Sequence, residues 1–308
     1  MTTQETKATY PAKITGIVPA LVTPFDDKGD LILASAEKLI AKYVKERADG
    51  LYMLGYTGEG WCMSMEERKA WTEAVLKANA GQIPVIVHVG YGSLDEALEL
   101  TKHAVRHGAY ATSSVPLSNS ATMQDNTVYF RAIAEASEVP FYIYWNQEIV
   151  DSDTGRRPLA SKLADELLAC RNIGGIKYTD SNFYYLERIR KYKPELNLLT
   201  GVDSMVNAGA LLGADGAIGL LQSVTCGHMR TMWDAYQAGD LERAHQLQIR
   251  ANNLYEMLDR PEIGVIAGAK AILAHEGIEG LPKQPSGLLS NPALVKELLD
   301  VYQANIVN

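Results

Sequence analysis

The sequence predicts a (β/α)8 (TIM) barrel with a C-terminal helical extension. Three observations predict it. From Gly16, short apolar, β-favouring runs alternate with longer stretches of helical period. There are eight such runs, and eight parallel strands close into a cylinder filled by their own side chains. The fingerprint GxGxxG of the competing open, doubly wound sheet does not follow the first run.

The elements follow in order. The strands expected are Ile17–Ala20, Leu51–Leu54, Val85–Val89, Ala111–Ser114, Phe141–Tyr144, Gly175–Tyr178, Leu198–Thr200 and Ala217–Leu220. Parallel strands need crossovers, and helical periods lie between them. Leu33–Glu46 spaces Ala36, Leu39, Ile40 and Tyr43 by three and four residues. Ser64 with Glu67, and Ser93 with Glu96, read as capping boxes that start the next two helices. Leu159–Ala169, Phe183–Tyr192 and Ser204–Leu212 follow. Residues 1–13 read as a polar tail, 14–230 as the barrel and 231–308 as a strandless annex. Within the annex, Leu241–Leu258, Gly264–His275 and Pro292–Tyr302 read as helices.

Composition narrows the function. The 308 residues are 47% apolar and 21% charged, as in ordinary globular proteins. With 29 Lys+Arg against 37 Asp+Glu, the net charge is -8, which excludes non-specific nucleic-acid binding as a leading reading. Nowhere do 18 apolar residues run together, so no membrane span is expected. Cys62, Cys170 and Cys226 are scattered, which fits a reducing, cytoplasmic setting. The six histidines form no HxH or HExxH pattern, so no metal site is expected.

Barrel enzymes place their chemistry at the C-terminal ends of the strands. Lys177 lies in Gly-Gly-Ile-Lys-Tyr-Thr at Gly174–Thr179. If Ile176 and Tyr178 face the helices, alternation turns Lys177 inward. Desolvation there favours the neutral, nucleophilic amine. The competing reading is a lysine at a strand end with its ammonium in water. Tyr144 ends the neighbouring strand and offers a phenol for proton transfer, or is a core ring. Gly55-Tyr56-Thr57-Gly58-Glu59-Gly60 follows the second strand. Its glycines could turn N–H groups toward a carboxylate, with the Thr57 hydroxyl helping; a simple Gly-rich turn is the alternative. Gly201-Val202-Asp203 and the run Gly213–Gly219 follow, and Asp203 favours hydroxyl groups over a phosphate. His88 reads as a core residue.

These segments, in this order, resemble the N-acetylneuraminate lyase / dihydrodipicolinate synthase family of class I aldolases. The resemblance runs from about Gly16 to Gly280 and rests on GYTGEG, the Tyr144 strand, GGIKYTDSNFYYLERI and GVDSM…GADGAIG. It implies that Lys177 forms a Schiff base with the keto carbon of pyruvate or another 2-oxo acid. It implies that Tyr144 shuttles the proton, and that Gly55, Thr57 and Gly58 hold the substrate carboxylate. No metal or dissociable cofactor is implied, and the assembly implied is a homotetramer.

Departures from the family pattern bear on specificity. Tyr56 stands where the turn carries Ser or Thr, and Val115–Asn119 lacks the tyrosine lent across a subunit boundary. The double change suggests Tyr56 as a substitute phenol. The stretch Asn146–Arg157 lacks the Arg that synthases use for the aldehyde partner's carboxylate. Where neuraminate lyases carry an acid and a Ser for the sugar tail, this chain has Ser204 and Leu220, while keeping Asp203. The reading is therefore an aldolase acting on a small polar, sugar-derived 2-oxo acid with an aldehyde partner, with Gly201, Asp203, Ser204 and Leu220 near the tail. Alternatives are a 2-keto-3-deoxy sugar-acid dehydratase using the same iminium, a dihydrodipicolinate synthase, a non-catalytic 2-oxo acid binding protein, and a phosphosugar barrel enzyme.

Overall fold

The computed structural model describes residues 12–117, 121–145, 155–284 and 291–307. Eight parallel strands alternate with helices among them. In chain order they are β1 (Gly16–Pro19), β2 (Leu51–Met53), β3 (Val85–His88), β4 (Ala111–Ser114), β5 (Phe141–Trp145), β6 (Ile173–Tyr178), β7 (Asn197–Thr200) and β8 (Gly216–Gly219). The sheet order is β1-β8-β7-β6-β5-β4-β3-β2. A bridge from Ala20 to Tyr52, with Leu21 N–H donating to Tyr52 O at 2.8 Å, joins the two ends into a barrel.

Strand alternation sorts the core into two layers. Val18, Tyr52, Ile86, Ala111, Tyr142, Leu199 and Ile218 fill the barrel interior. Ile17, Met53, Val87, Ile143, Ile176, Tyr178 and Ala217 point outward to the helices. Burying one such side chain contributes about 1.5–3 kcal/mol. Ile176 and Tyr178 thus face the helices, as the alternation argument for Lys177 required.

The crossover helices are α1 (Ser35–Lys45), α2 (Met65–Asn79), α3 (Leu94–Arg106), α4 (Met123–Glu135), α5 (Ala160–Glu166), α6 (Phe183–Tyr192), α7 (Val206–Leu211) and α8 (Leu221–Gln237). The boxes at Ser64 and Ser93 both form; the Ser64 hydroxyl accepts from Glu67 N–H at 3.2 Å and Glu67 accepts from Ser64 N–H at 2.8 Å. A third box, Thr122 with Asp125, starts α4, which has no counterpart among the helices named from the sequence. The expected helix at Ser204–Leu212 begins instead as a 3-10 turn over Asp203–Met205.

The annex comprises α9 (Leu241–Leu258), α10 (Val265–His275) and α11 (Pro292–Tyr302). A division at residue 230 falls inside α8, which is non-helical only at Thr225. No helix among the described residues is long and apolar enough to cross a membrane.

Candidate active site

Register brings Lys177 and Tyr144 together, because Tyr144 of β5 lies opposite Lys177 of β6. Lys177 is 5% exposed. Its Nζ sits 3.9 Å from the Tyr144 ring centroid and 4.3 Å from that of Tyr52. The two rings meet edge to face at 6.1 Å. No carboxylate pairs with Lys177 Nζ and no hydrogen bond holds it among the described residues. An amine so placed is shielded from water and has no acid among the described residues competing for it.

The sequence reading missed several neighbours. Tyr52 is buried, and its hydroxyl shares a 3.1 Å hydrogen bond with Ser113 Oγ. Burial pushes that phenol well above its ordinary range, so it stays protonated. His88 is fully buried, and its ring is T-shaped to Tyr144 at 6.2 Å. Burial first, then the charges of Arg68 and Lys177, hold the imidazole well below its ordinary pKa. Its Nε2 accepts from Val115 N–H at 3.1 Å, and its buried Nδ1 has no partner among the described residues. Thr179 Oγ1, two residues beyond Lys177, is likewise buried without a partner among the described residues. The only signal for Tyr52, His88 and Thr179 was position on an inward-facing strand register.

The Gly55–Gly60 loop folds back under the barrel mouth. Glu59 N–H bonds to Tyr56 O at 3.0 Å and Gly60 N–H to Gly55 O at 3.2 Å. At Gly58 a Cβ would lie 2.8 Å from Leu54 N, so only glycine fits. Thr57 is buried, and the N–H groups of Thr57 and Gly58 meet no acceptor among the described residues. Free N–H groups beside a hydroxyl can receive an anion.

A buried ion pair holds this loop in place. Lys270 of α10 pairs with Glu59, and both are under 3% exposed. Lys270 also donates to Thr23 O at 2.6 Å and Leu281 O at 2.8 Å. Glu59 accepts from Lys283 N–H at 2.7 Å, and Thr23 Oγ1 donates to Gly58 O at 2.7 Å. The annex, which carried no site signal of its own in the sequence, therefore reaches the loop directly.

Tyr56 is different. It is 54% exposed, and its ring stacks on Trp61 at 6.5 Å rather than joining Tyr144. The single chain does not bring it to the lysine.

Across the mouth, Asp203 accepts from Leu221 N–H at 3.1 Å. A Cβ at Gly219 would lie 1.8 Å from its Oδ1, so glycine makes room for the carboxylate. Burial raises the Asp203 pKa to about 7, against the lowering effect of those N–H groups and of Lys177. Below that value the carboxyl can donate as well as accept. Gly201 N–H bonds to Tyr178 O at 2.6 Å. Ser204 is part-buried, its carbonyl held by Asn252 Nδ2 at 3.1 Å. Leu220 is buried in the apolar layer between strands and helices, so its side chain is not a lining group. Gln222, fully buried, adds an amide close to Asp203.

Part of Asn146–Arg157 lies outside the described residues, including Asp151 and Asp153. Arg157 is described. It pairs with the buried Asp180 at 2.5 Å and lies over the Tyr185 ring at 5.3 Å.

Comparison with known proteins places this geometry. The model of the dihydrodipicolinate synthetase family matches residues 13–296. The N-acetylneuraminate lyase of Rhizobium meliloti (strain 1021) is 33% identical over 277 residues, 89% of this chain and 88% of that one. That of Citrobacter koseri is 30% identical over 269 residues, covering 87% and 88%. Among solved structures, the N-acetylneuraminate lyase of Mycoplasma synoviae aligns with a TM-score of 0.87 at 25% identity, over 96% of this chain and 98% of that one. That of Fusobacterium nucleatum aligns at 0.85 and 26% identity, over 95% and 99%. A barrel with a buried lysine beside a phenol, matched along its length to such lyases, is an enzyme of the Schiff-base, class I aldolase type. The chain belongs to the dihydrodipicolinate synthetase family.

Proposed function

We propose that this chain cleaves or forms a carbon–carbon bond in a small polar, sugar-derived 2-oxo acid, with pyruvate and an aldehyde as the two fragments. Lys177 Nζ adds to the keto carbon, and loss of water gives an iminium. The iminium accepts the electron pair of the bond that breaks beside it, and Tyr144 moves the proton between the aldehyde oxygen and solvent or substrate. Thr57 and the N–H groups of Thr57 and Gly58 hold the carboxylate, with Gly55 shaping the turn. Asp203, Thr179 and the Gly201–Ser204 turn face the polar tail. Leu220 contributes backbone, not side chain. No metal or dissociable cofactor enters these steps.

The observation that carries this reading is the setting of Lys177: buried, between two tyrosine rings, with no acid paired to it among the described residues. Arg157, held by Asp180, is not left to grip a second carboxylate, which supports a sugar-like partner over the synthase reading. Tyr56, exposed and stacked on Trp61, is given no proton-transfer role here. A homotetramer in the cytosol fits the reading, and sedimentation of the purified chain checks the assembly.

Product analysis across a panel of sugar-derived 2-oxo acids tests the function. Pyruvate plus an aldehyde is the expected outcome. A dehydrated 2-oxo acid would instead support the dehydratase, and binding without product would support a non-catalytic binder.

A further inference from the structure

A second cluster of ligating side chains lies on the barrel's flank, between α2 and α3. His103 sits in the last turn of α3 and His107 caps its C-terminus. Four residues make just over one helical turn, so both imidazoles share a face. Their rings lie 4.5 Å apart. Opposite them, α2 presents Glu73. Its Oε1 lies 2.9 Å from His103 Nε2 and 3.7 Å from His107 Nε2. All three donor atoms fall within 4.8 Å of one another.

We propose that Glu73, His103 and His107 form a binding site for a borderline divalent cation of the zinc type. Two imidazole nitrogens and one carboxylate oxygen are a set such an ion favours. A tetrahedral ion with bonds of about 2.0–2.2 Å needs donors roughly 3.3–3.5 Å apart. The two distances to Glu73 bracket that spacing, and the two imidazole nitrogens lie within 4.8 Å of each other. His103 is buried and held by packing, which preorganises one ligand. Glu73 and His107 are exposed, which leaves a route in and a coordination position for water. One turn away, Lys69 bridges Glu66 at 2.9 Å and Glu99 at 2.6 Å, so its ammonium is engaged by those two carboxylates and not by Glu73. The charge of Glu73 is thus available to the cation. A bound ion would clip α2 to α3, away from Lys177.

The test uses the full, tag-free chain, stripped with chelator and titrated with Zn²⁺ by calorimetry and with Co²⁺ by absorption spectroscopy. The expected result is one saturable site per chain, a rise in melting temperature with Zn²⁺, and a low-symmetry Co²⁺ spectrum without thiolate bands. His107→Ala and Glu73→Gln alter exposed positions and keep the fold, checked by circular dichroism. Each should weaken binding by at least about tenfold and leave turnover of 2-oxo acids unchanged. Absence of saturable binding, thiolate bands in the cobalt spectrum, or affinity indifferent to both substitutions would overturn the proposal.

Discussion

Two lysines are buried among the described residues, and their surroundings separate them. Lys270 is 2% exposed and Lys177 is 5% exposed. Lys270 directs its three N–H bonds at three oxygens, those of Thr23, Glu59 and Leu281. That geometry needs the ammonium form and leaves no lone pair for chemistry. Lys177 has two ring faces and no acceptor among the described residues. Burial alone therefore does not make a nucleophile. What separates the two lysines is the acid partner that Lys270 has and Lys177 lacks among the described residues.

Removing each lysine should break this contrast in a different way. Lys177→Ala should lower turnover by at least about 10⁴-fold, because no other group supplies the iminium. Its melting temperature should change little by comparison, since no ion pair or hydrogen bond is lost. Steady-state kinetics and thermal unfolding of the same preparation check both. Lys270→Met should do the reverse. It leaves Glu59 buried and unpaired, at a cost of about 3–5 kcal/mol in chemical denaturation. The double variant Glu59→Gln with Lys270→Met should recover most of that loss. Iminium formation at saturating substrate should persist in both.

Asp203 sharpens the comparison from the acid side. Its pKa in the fold, about 7, lies above the ordinary 3.8, so the folded state holds the proton more tightly. Its contribution to stability is complete below about pH 4 and is lost as pH rises through 7. Denaturation midpoints from pH 4 to 8 should therefore fall less steeply in Asp203→Asn than in the parent chain. Last and smallest, Tyr56→Phe should change kcat by less than about twofold, as expected for an exposed surface ring. A large loss would restore Tyr56 as a working phenol.

Much of this was legible in the chain before folding. Strand alternation put Lys177 on the face opposite Ile176 and Tyr178, and neighbouring strands set Tyr144 beside it; the packing of Ile176 and Tyr178 against the helices decides that the Lys177 face is the inner one. Local rules also found both serine capping boxes. What stayed hidden depends on long sequence separation. Tyr52 touches Lys177 across the barrel, and Glu59 meets Lys270 over 211 residues. No local pattern encodes either. Tyr56 stands away from Tyr144 in the single chain for a related reason: its loop turns at Leu54 and Glu59, both left-handed, and carries the ring outward. The helix α8 escaped notice because nothing in its sequence marks a break at Leu220. The flank cluster was not legible because its third ligand, Glu73, comes from another helix, and His103-Ala-Val-Arg-His107 has the four-residue spacing of HExxH without its Glu.

The central claim is that Lys177, and not Lys270, is the amine that attacks the keto carbon. Borohydride reduction in the presence of pyruvate, followed by peptide mass mapping, tests it most directly. The account predicts one covalent adduct per chain, on the peptide carrying Lys177, and none in Lys177→Ala. An adduct on Lys270 or another lysine, or no adduct with any of several 2-oxo acids, would contradict it.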